Sequence, residues 1–191
     1  MIFEGHYGVV HIETANTIQN LANAISRLGD VRSAQGFYER ALAIKERHYG
    51  VGHIETASTL QNLALAISGL GDVRAAQGLY ERALAIFEGH YGAEHVELTI
   101  TLYNLAIANC QLNNIIIAQE QCMRAKVIAS RSLPAGHSTL NAIERLLQHL
   151  ATTDVRHGLS PSSTETSSSI QSLLEQSTHL SQQGTQHYRD E

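Results

Sequence analysis

Apolar residues in the first part of the chain recur with a helical period. Ile18, Leu21, Ala22, Ile25 and Leu28 stand at i, i+3, i+4, i+7 and i+10, which lines one face of an α-helix. After Gly29-Asp30 a second stripe runs through Ala34, Tyr38, Ala41, Leu42 and Ile44. Glycine accommodates the left-handed conformation that ends a helix, and aspartate caps the helix that follows. The pattern therefore predicts two helices joined by a tight turn, with the members of both stripes in the core.

The pattern then repeats. His-Tyr-Gly stands at His6-Tyr7-Gly8, His48-Tyr49-Gly50 and His90-Tyr91-Gly92, and a second histidine marks His11, His53, His95 and His137; every interval is 42 residues. Aligning His6–Arg47 with His48–Gly89 leaves nine differences, at positions 10, 16, 18, 23, 27, 33, 37, 45 and 47 of the first copy. The third copy, His90 to about Arg131, keeps the spacing but has drifted, and the fourth reaches only its first helix. The third copy's turn survives as Asn113-Asn114 where the others have Gly29-Asp30 and Gly71-Asp72. Asparagine is the next-best residue in the first place and an equally good cap in the second. Small residues recur in register as Ala22, Ala34 and Ala41, then Ala64, Ala76 and Ala83, then Ala106, Ala118 and Ala125. A helical hairpin cannot bury its apolar face alone, so equal-length hairpins predict an all-α stack in which neighbours supply the core.

These residues resemble the tetratricopeptide repeat. The stretch Thr59-Leu60-Gln61-Asn62-Leu63-Ala64-Leu65-Ala66, then Leu70-Gly71-Asp72, then Leu79-Tyr80-Glu81-Arg82-Ala83-Leu84-Ala85-Ile86 is similar to the 42-residue subtype of kinesin light chains and many bacterial proteins. The resemblance covers about residues 1–150 and weakens in the third copy. There Cys122 replaces the tyrosine of Tyr38 and Tyr80, and Asn109 replaces Ile25 and Ile67. Ile12, Ile54 and Val96 stand where that subtype often has a helix-starting proline. The HEAT repeat, of similar length, fits less well. The resemblance implies a right-handed superhelical solenoid of antiparallel helix pairs.

In that register residues 1–8 are the remnant of a preceding second helix, since Ile2–Gly8 reproduces Ile86–Gly92. Repeats follow at 9–50, 51–92 and 93–134. A capping helix at 135–151 starts on Ser138, with Leu140, Ile143, Leu147 and Leu150 on one face and Glu144, Arg145, Gln148 and His149 opposite. Residues 152–191 turn to Ser, Thr, Gln and His, a composition that predicts a disordered tail. Only Ile170, Leu173 and Leu174 have helical spacing there, enough for a transient helix.

Composition narrows the function classes. A net charge of −5 and a pI near 6.1 exclude the clustered basic surface that nucleic acid demands. No window approaches the roughly 18 apolar residues that cross a bilayer. Two cysteines without metal spacing, and no secretory leader, make a cytoplasmic protein the expectation. Cys110 is expected near the groove and Cys122 in a packed position, both as free thiols. The paired histidines sit five residues apart across a turn, which suits capping or packing better than zinc. No nucleophile motif, phosphate loop or carboxylate pair is present, so no enzyme, cofactor or metal is expected. Gly36 and Gly78, lone glycines inside second helices, each cost roughly 1 kcal/mol against alanine.

Opposite the core stripe of each first helix lies a second stripe: Asn16, Asn20, Asn23 and Arg27, then Ser58, Asn62, Leu65 and Gly69, then Ile100, Asn104, Ile107 and Gln111. The resemblance implies that it faces a concave groove. Asparagine alone persists, at Asn20, Asn62 and Asn104, while three of the four positions differ between the two near-identical copies. A carboxamide offers one acceptor and two donors, enough to grip a peptide backbone without reading its side chains. In kinesin-light-chain-like repeats the matching asparagines do this, and Gln19, Gln61 and Tyr103 are expected to edge the same surface. The expected function is a scaffold binding a partner peptide or helix. The alternatives are a structural segment that self-associates through its N-terminal face, or the sensor arm of a larger ATPase or effector.

Overall fold

The chain is seen in a computed structural model that describes the backbone of residues 12–156 and the side chains of residues 12–152. The expected helix remnant at 1–8, the first histidine pair (His6 and His11), and the tail beyond Arg156 with its Ile170, Leu173 and Leu174 patch lie outside the described residues. Among those described there are seven α-helices and no strand: α1 (Ile12–Arg27), α2 (Val31–Tyr49), α3 (Ile54–Gly69), α4 (Val73–Tyr91), α5 (Leu98–Gln111), α6 (Ile115–Ser132) and α7 (Ser138–Arg156). They form two compact units, divided between Ala93 and Glu94.

In the first unit, α1 and α2 form one hairpin and α3 and α4 the next, with α2 packed against α3. The turns are as expected. Gly29 and Gly71 take φ of 91° and 95°. Asp30 accepts a hydrogen bond from the Ser33 backbone N–H at 3.1 Å and Asp72 one from Ala75 at 3.1 Å. Ser33, through its side chain first and its backbone N–H second, holds the Asp30 carboxyl below its usual range.

The recurrent His-Tyr-Gly has a local explanation. Gly50 and Gly92 close α2 and α4 by donating to the carbonyls of Glu46 and Glu88, each at 2.9 Å. The ring of Tyr49 then stacks on His53 at 4.5 Å, and His53 Nδ1 accepts from the Glu55 N–H at the start of α3. Around residues 48–55 the motif is thus a helix end, a stacked pair and a helix cap, and Gly92 repeats the helix end.

Alanines set the close approach of the helices. Ala22, Ala34, Tyr38, Leu63 and Ala66 form a buried cluster shared by both hairpins, flanked by Ile25, Val31, Phe37 and Ile67. Ala15, Ile18, Ala41 and Ile44 form another within the first hairpin. Two members of the first stripe do not join the core. Leu21 is 46% exposed and Leu28 86%, whereas Leu63, in the register of Leu21, is 4% exposed. Leu63 packs on the hairpin before it; among the described residues no hairpin covers Leu21.

In the second unit, α5 and α6 form a hairpin and α7 packs on α6. Asn113 takes φ of 63°, as its place in the turn requires. Asn114 does not cap α6 through its side chain. Its amide donates instead to Asn109 Oδ1 at 3.1 Å, and Asn109, fully buried, donates to the Leu105 carbonyl and to Gln121 Oε1. A polar side chain in an apolar slot drew its neighbours into satisfying it, at the expense of the cap. The cap of α7 also differs from expectation. His137 Nδ1, not Ser138, accepts from the Thr139 N–H at 3.2 Å, repeating the His53 and His95 arrangement. Leu140, Ile143 and Leu150 are buried and Glu144, Arg145, Gln148 and His149 exposed, and α7 runs to Arg156.

Candidate peptide-binding surface

The stripe opposite the core stripe is accessible in each unit. On α1, Asn16 and Asn23 are half-buried and Asn20 and Arg27 exposed. On α3, Ser58 and Asn62 are half-buried, Leu65 is 57% exposed, and Gly69 is exposed. In the second unit α5 presents Ile100, 46% exposed, half-buried Asn104 and Ile107, and exposed Gln111. Along the chain the stripe passes from carboxamides and a guanidinium to aliphatic side chains around one amide.

The asparagines differ in what they have left to offer. Asn20, Asn62 and Asn104 make no side-chain hydrogen bond among the described residues, and neither does Asn16. Asn23 is committed, since its Oδ1 accepts from the Tyr38 hydroxyl at 2.7 Å. Burial pushes the Tyr38 phenol above its usual range, and the nearby Arg27 charge pulls it the other way. Arg27 forms no ion pair among the described residues. Asn23 therefore presents only its amino group, beside a guanidinium. Leu65 and Gly69 occupy the same positions in the second hairpin.

Gln19 and Gln61, expected as edge residues, are not equivalent. Gln61 and Tyr103 are half-buried, and Gln61 has no hydrogen-bond partner among the described residues. Gln19 Oε1 is occupied twice. It accepts from Thr59 Oγ1 at 2.6 Å and from Lys45 Nζ at 2.8 Å, and Lys45 lies 3.3 Å from Glu55 Oε2 with 2% of its side chain exposed. The role of Lys45 was not legible in the sequence. Its one signal was its place among the nine differences between the first two copies, where the second copy has Phe87.

The remaining chemistry is quiet. Cys110 is half-buried and Cys122 fully buried, both free, and burial pushes the Cys122 thiol up to about 12. Among the described residues no three His, Cys, Asp or Glu side chains converge as metal ligands, and no helix is long and apolar enough to cross a membrane. Of the described histidines of the second series, His53 and His137 accept through Nδ1 from the first turns of their helices, and His95 Nδ1 accepts from the Glu97 N–H just ahead of α5.

The sequence matches the family model of the tetratricopeptide repeat over residues 12–89 and 55–125. No curated protein matches it. Among solved structures it is similar to Podosopora anserina kinesin light chain nearly identical TPR-like repeats, with a TM-score of 0.68 at 22% identity over 94% of this chain and 80% of that one. A variant of those repeats gives a TM-score of 0.69 at 21% identity, over 97% and 82%. BtubC (BKLC) from P. vanneervenii gives 0.67 at 20%, over 87% of this chain and 63% of that one. At such identities the likeness is one of fold.

Proposed function

The chain belongs to the tetratricopeptide repeat family, and on that premise we propose that its first helices hold a partner peptide through a set of free carboxamides. Repeats of this family are generally protein-interaction scaffolds rather than catalysts. The observation that carries the finer reading is the inequality among the asparagines. Asn20, Asn62 and Asn104 recur in one register and have no side-chain partner among the described residues, whereas Asn23 and Asn109 are taken up by the fold.

An accessible carboxamide with no internal partner is hydrated in the free protein, and a peptide N–H and C=O replace that water with little strain. Each such bond contributes about 1 kcal/mol net, so affinity comes from several together. Leu65 on α3, and Ile100 and Ile107 on α5, add apolar surface for the partner's side chains. Asn16, Arg27, Gln61, Tyr103 and Gln111 complete the accessible rim, while Gln19 and Asn23 contribute amino groups alone.

The test is selection of capped decapeptides from a random pool by the full chain, followed by Asn20→Ala, Asn62→Ala and Asn104→Ala together. Retained helical circular dichroism with lost binding supports the reading; a selected peptide that binds the triple variant equally well ends it.

A second reading rests on Leu21 and Leu28, whose exposure leaves an apolar strip on α1. There the chain associates with itself through that helix. Light scattering across a concentration series decides it, because a monomer throughout leaves the strip without that role.

A further inference from the structure

We infer that Lys45 is a positioning residue: its buried ammonium ties α1 to α3 and so sets the spacing between the Asn20 and Asn62 amides. The inference rests on the groove reading above and concerns how that surface is held in shape.

The geometry is a short polar chain across three helices. Lys45, on α2, donates to Gln19 Oε1 on α1 at 2.8 Å, while Glu55 on α3 supplies a carboxylate oxygen at 3.3 Å and its backbone carbonyl at 3.4 Å. Thr59, also on α3, donates to the same Gln19 oxygen at 2.6 Å. Both ligand-facing helices are thus fastened to one point. Gln19 immediately precedes Asn20, and Thr59 lies one helical turn before Asn62. Each amide that faces solvent is within a turn of a residue held from below.

Stability does not explain the lysine. A buried ammonium loses its hydration, and because Glu55 is half exposed, an apolar residue in place of Lys45 leaves no unpaired buried charge behind. This fold accepts the replacement. The second hairpin, otherwise nearly identical, has Phe87 in the position of Lys45, and Phe87 is 6% exposed. Thr101, in the register of Thr59, is fully buried, and its hydroxyl has no partner among the described residues. The tie is therefore a property of the first hairpin's junction with the second, not of the repeat. What an apolar contact lacks is direction: it resists separation and tolerates sliding, whereas two hydrogen bonds converging on one oxygen fix where the helices meet.

Two variants cut the chain from opposite sides: Lys45→Met, close in length and apolar, and Gln19→Leu, which removes the shared acceptor. In the full chain carrying Cys110→Ser, spin labels at Thr17→Cys and Leu65→Cys report the separation of α1 and α3; Cys122 is fully buried and escapes labelling. The distance distribution is expected to be narrow with Lys45 and to broaden or shift in both variants. Lys45→Met is expected to keep the helical signal and an unchanged or higher Tm. Its affinity for the decapeptide selected by the parent chain should nevertheless fall at least about three-fold, the scale of one modest hydrogen bond. An unchanged distance distribution overturns the inference, as does a broadened one with unchanged affinity. A parent chain that selects no peptide defeats the groove reading itself. A peptide lost on Asn20→Ala and indifferent to Lys45→Met defeats only the positioning role.

Discussion

The Tyr38 hydroxyl donates to Asn23 Oδ1 across the first hairpin, at 2.7 Å, and so engages the asparagine's acceptor. One side chain thereby serves the core and the accessible surface together. In the second hairpin the partner position is Leu65, so Tyr80 has no matching carboxamide there. Tyr38→Phe should leave the packing intact and cost about 0.5–1.5 kcal/mol, read as a lower urea midpoint at unchanged slope. Asn23→Leu should cost a similar amount, because the second hairpin already carries Leu65 in that register beside a tyrosine.

Leu21 and Leu63 share a register and differ in exposure, 46% against 4%. Leu63→Ala removes a side chain packed between hairpins and should cost about 2–5 kcal/mol. Leu21→Ala should cost roughly 1 kcal/mol or less. Equal losses in urea unfolding would mean that Leu21 is covered in solution, and dilution would show whether a second chain covers it.

Helix caps should separate by mechanism. Asp72→Ala removes a side-chain acceptor from the first turn of α4 and should cost about 1 kcal/mol. Asn114→Ala removes no cap bond; its loss should appear only while Asn109 is present to lose a donor. In an Asn109→Ile background the Asn114→Ala penalty is expected to shrink, a coupling that a double-mutant cycle measures directly.

Alkaline pH should weaken the fold through Cys122. Its thiol ordinarily titrates near 9.0 and burial raises it to about 12, so the unfolded chain releases this proton first. The stabilisation from keeping the thiol neutral is complete below pH 9 and is lost progressively between 9 and about 12. Tyr80, buried and shifted upward, adds to the same trend at higher pH. Urea midpoints between pH 8 and 11 should fall, and Cys122→Ala should flatten the first part of that slope. A thiol reagent at pH 8 should modify Cys110 readily and Cys122 only on unfolding.

The 42-residue period, the helix pairs, the Gly-Asp turns and the carboxamide register were legible in sequence, because each depends on contacts within a few residues or on a spacing that any copy repeats. The loss of the expected Asn114 cap was not, since it depended on Asn109, whose buried amide draws the Asn114 side chain away from the helix start. Nor was the inequality of Gln19 and Gln61: identical residues in near-identical segments, one is bound by a lysine where the other's copy carries phenylalanine.

Local propensity and period alone determined that this chain makes helical hairpins of one length. Burial and hydrogen bonding were decided by the tertiary structure. Leu21 differs from Leu63, and Asn20 from Asn23, through neighbours distant in sequence, and a repeat specifies its own helices before it specifies what will lie against them.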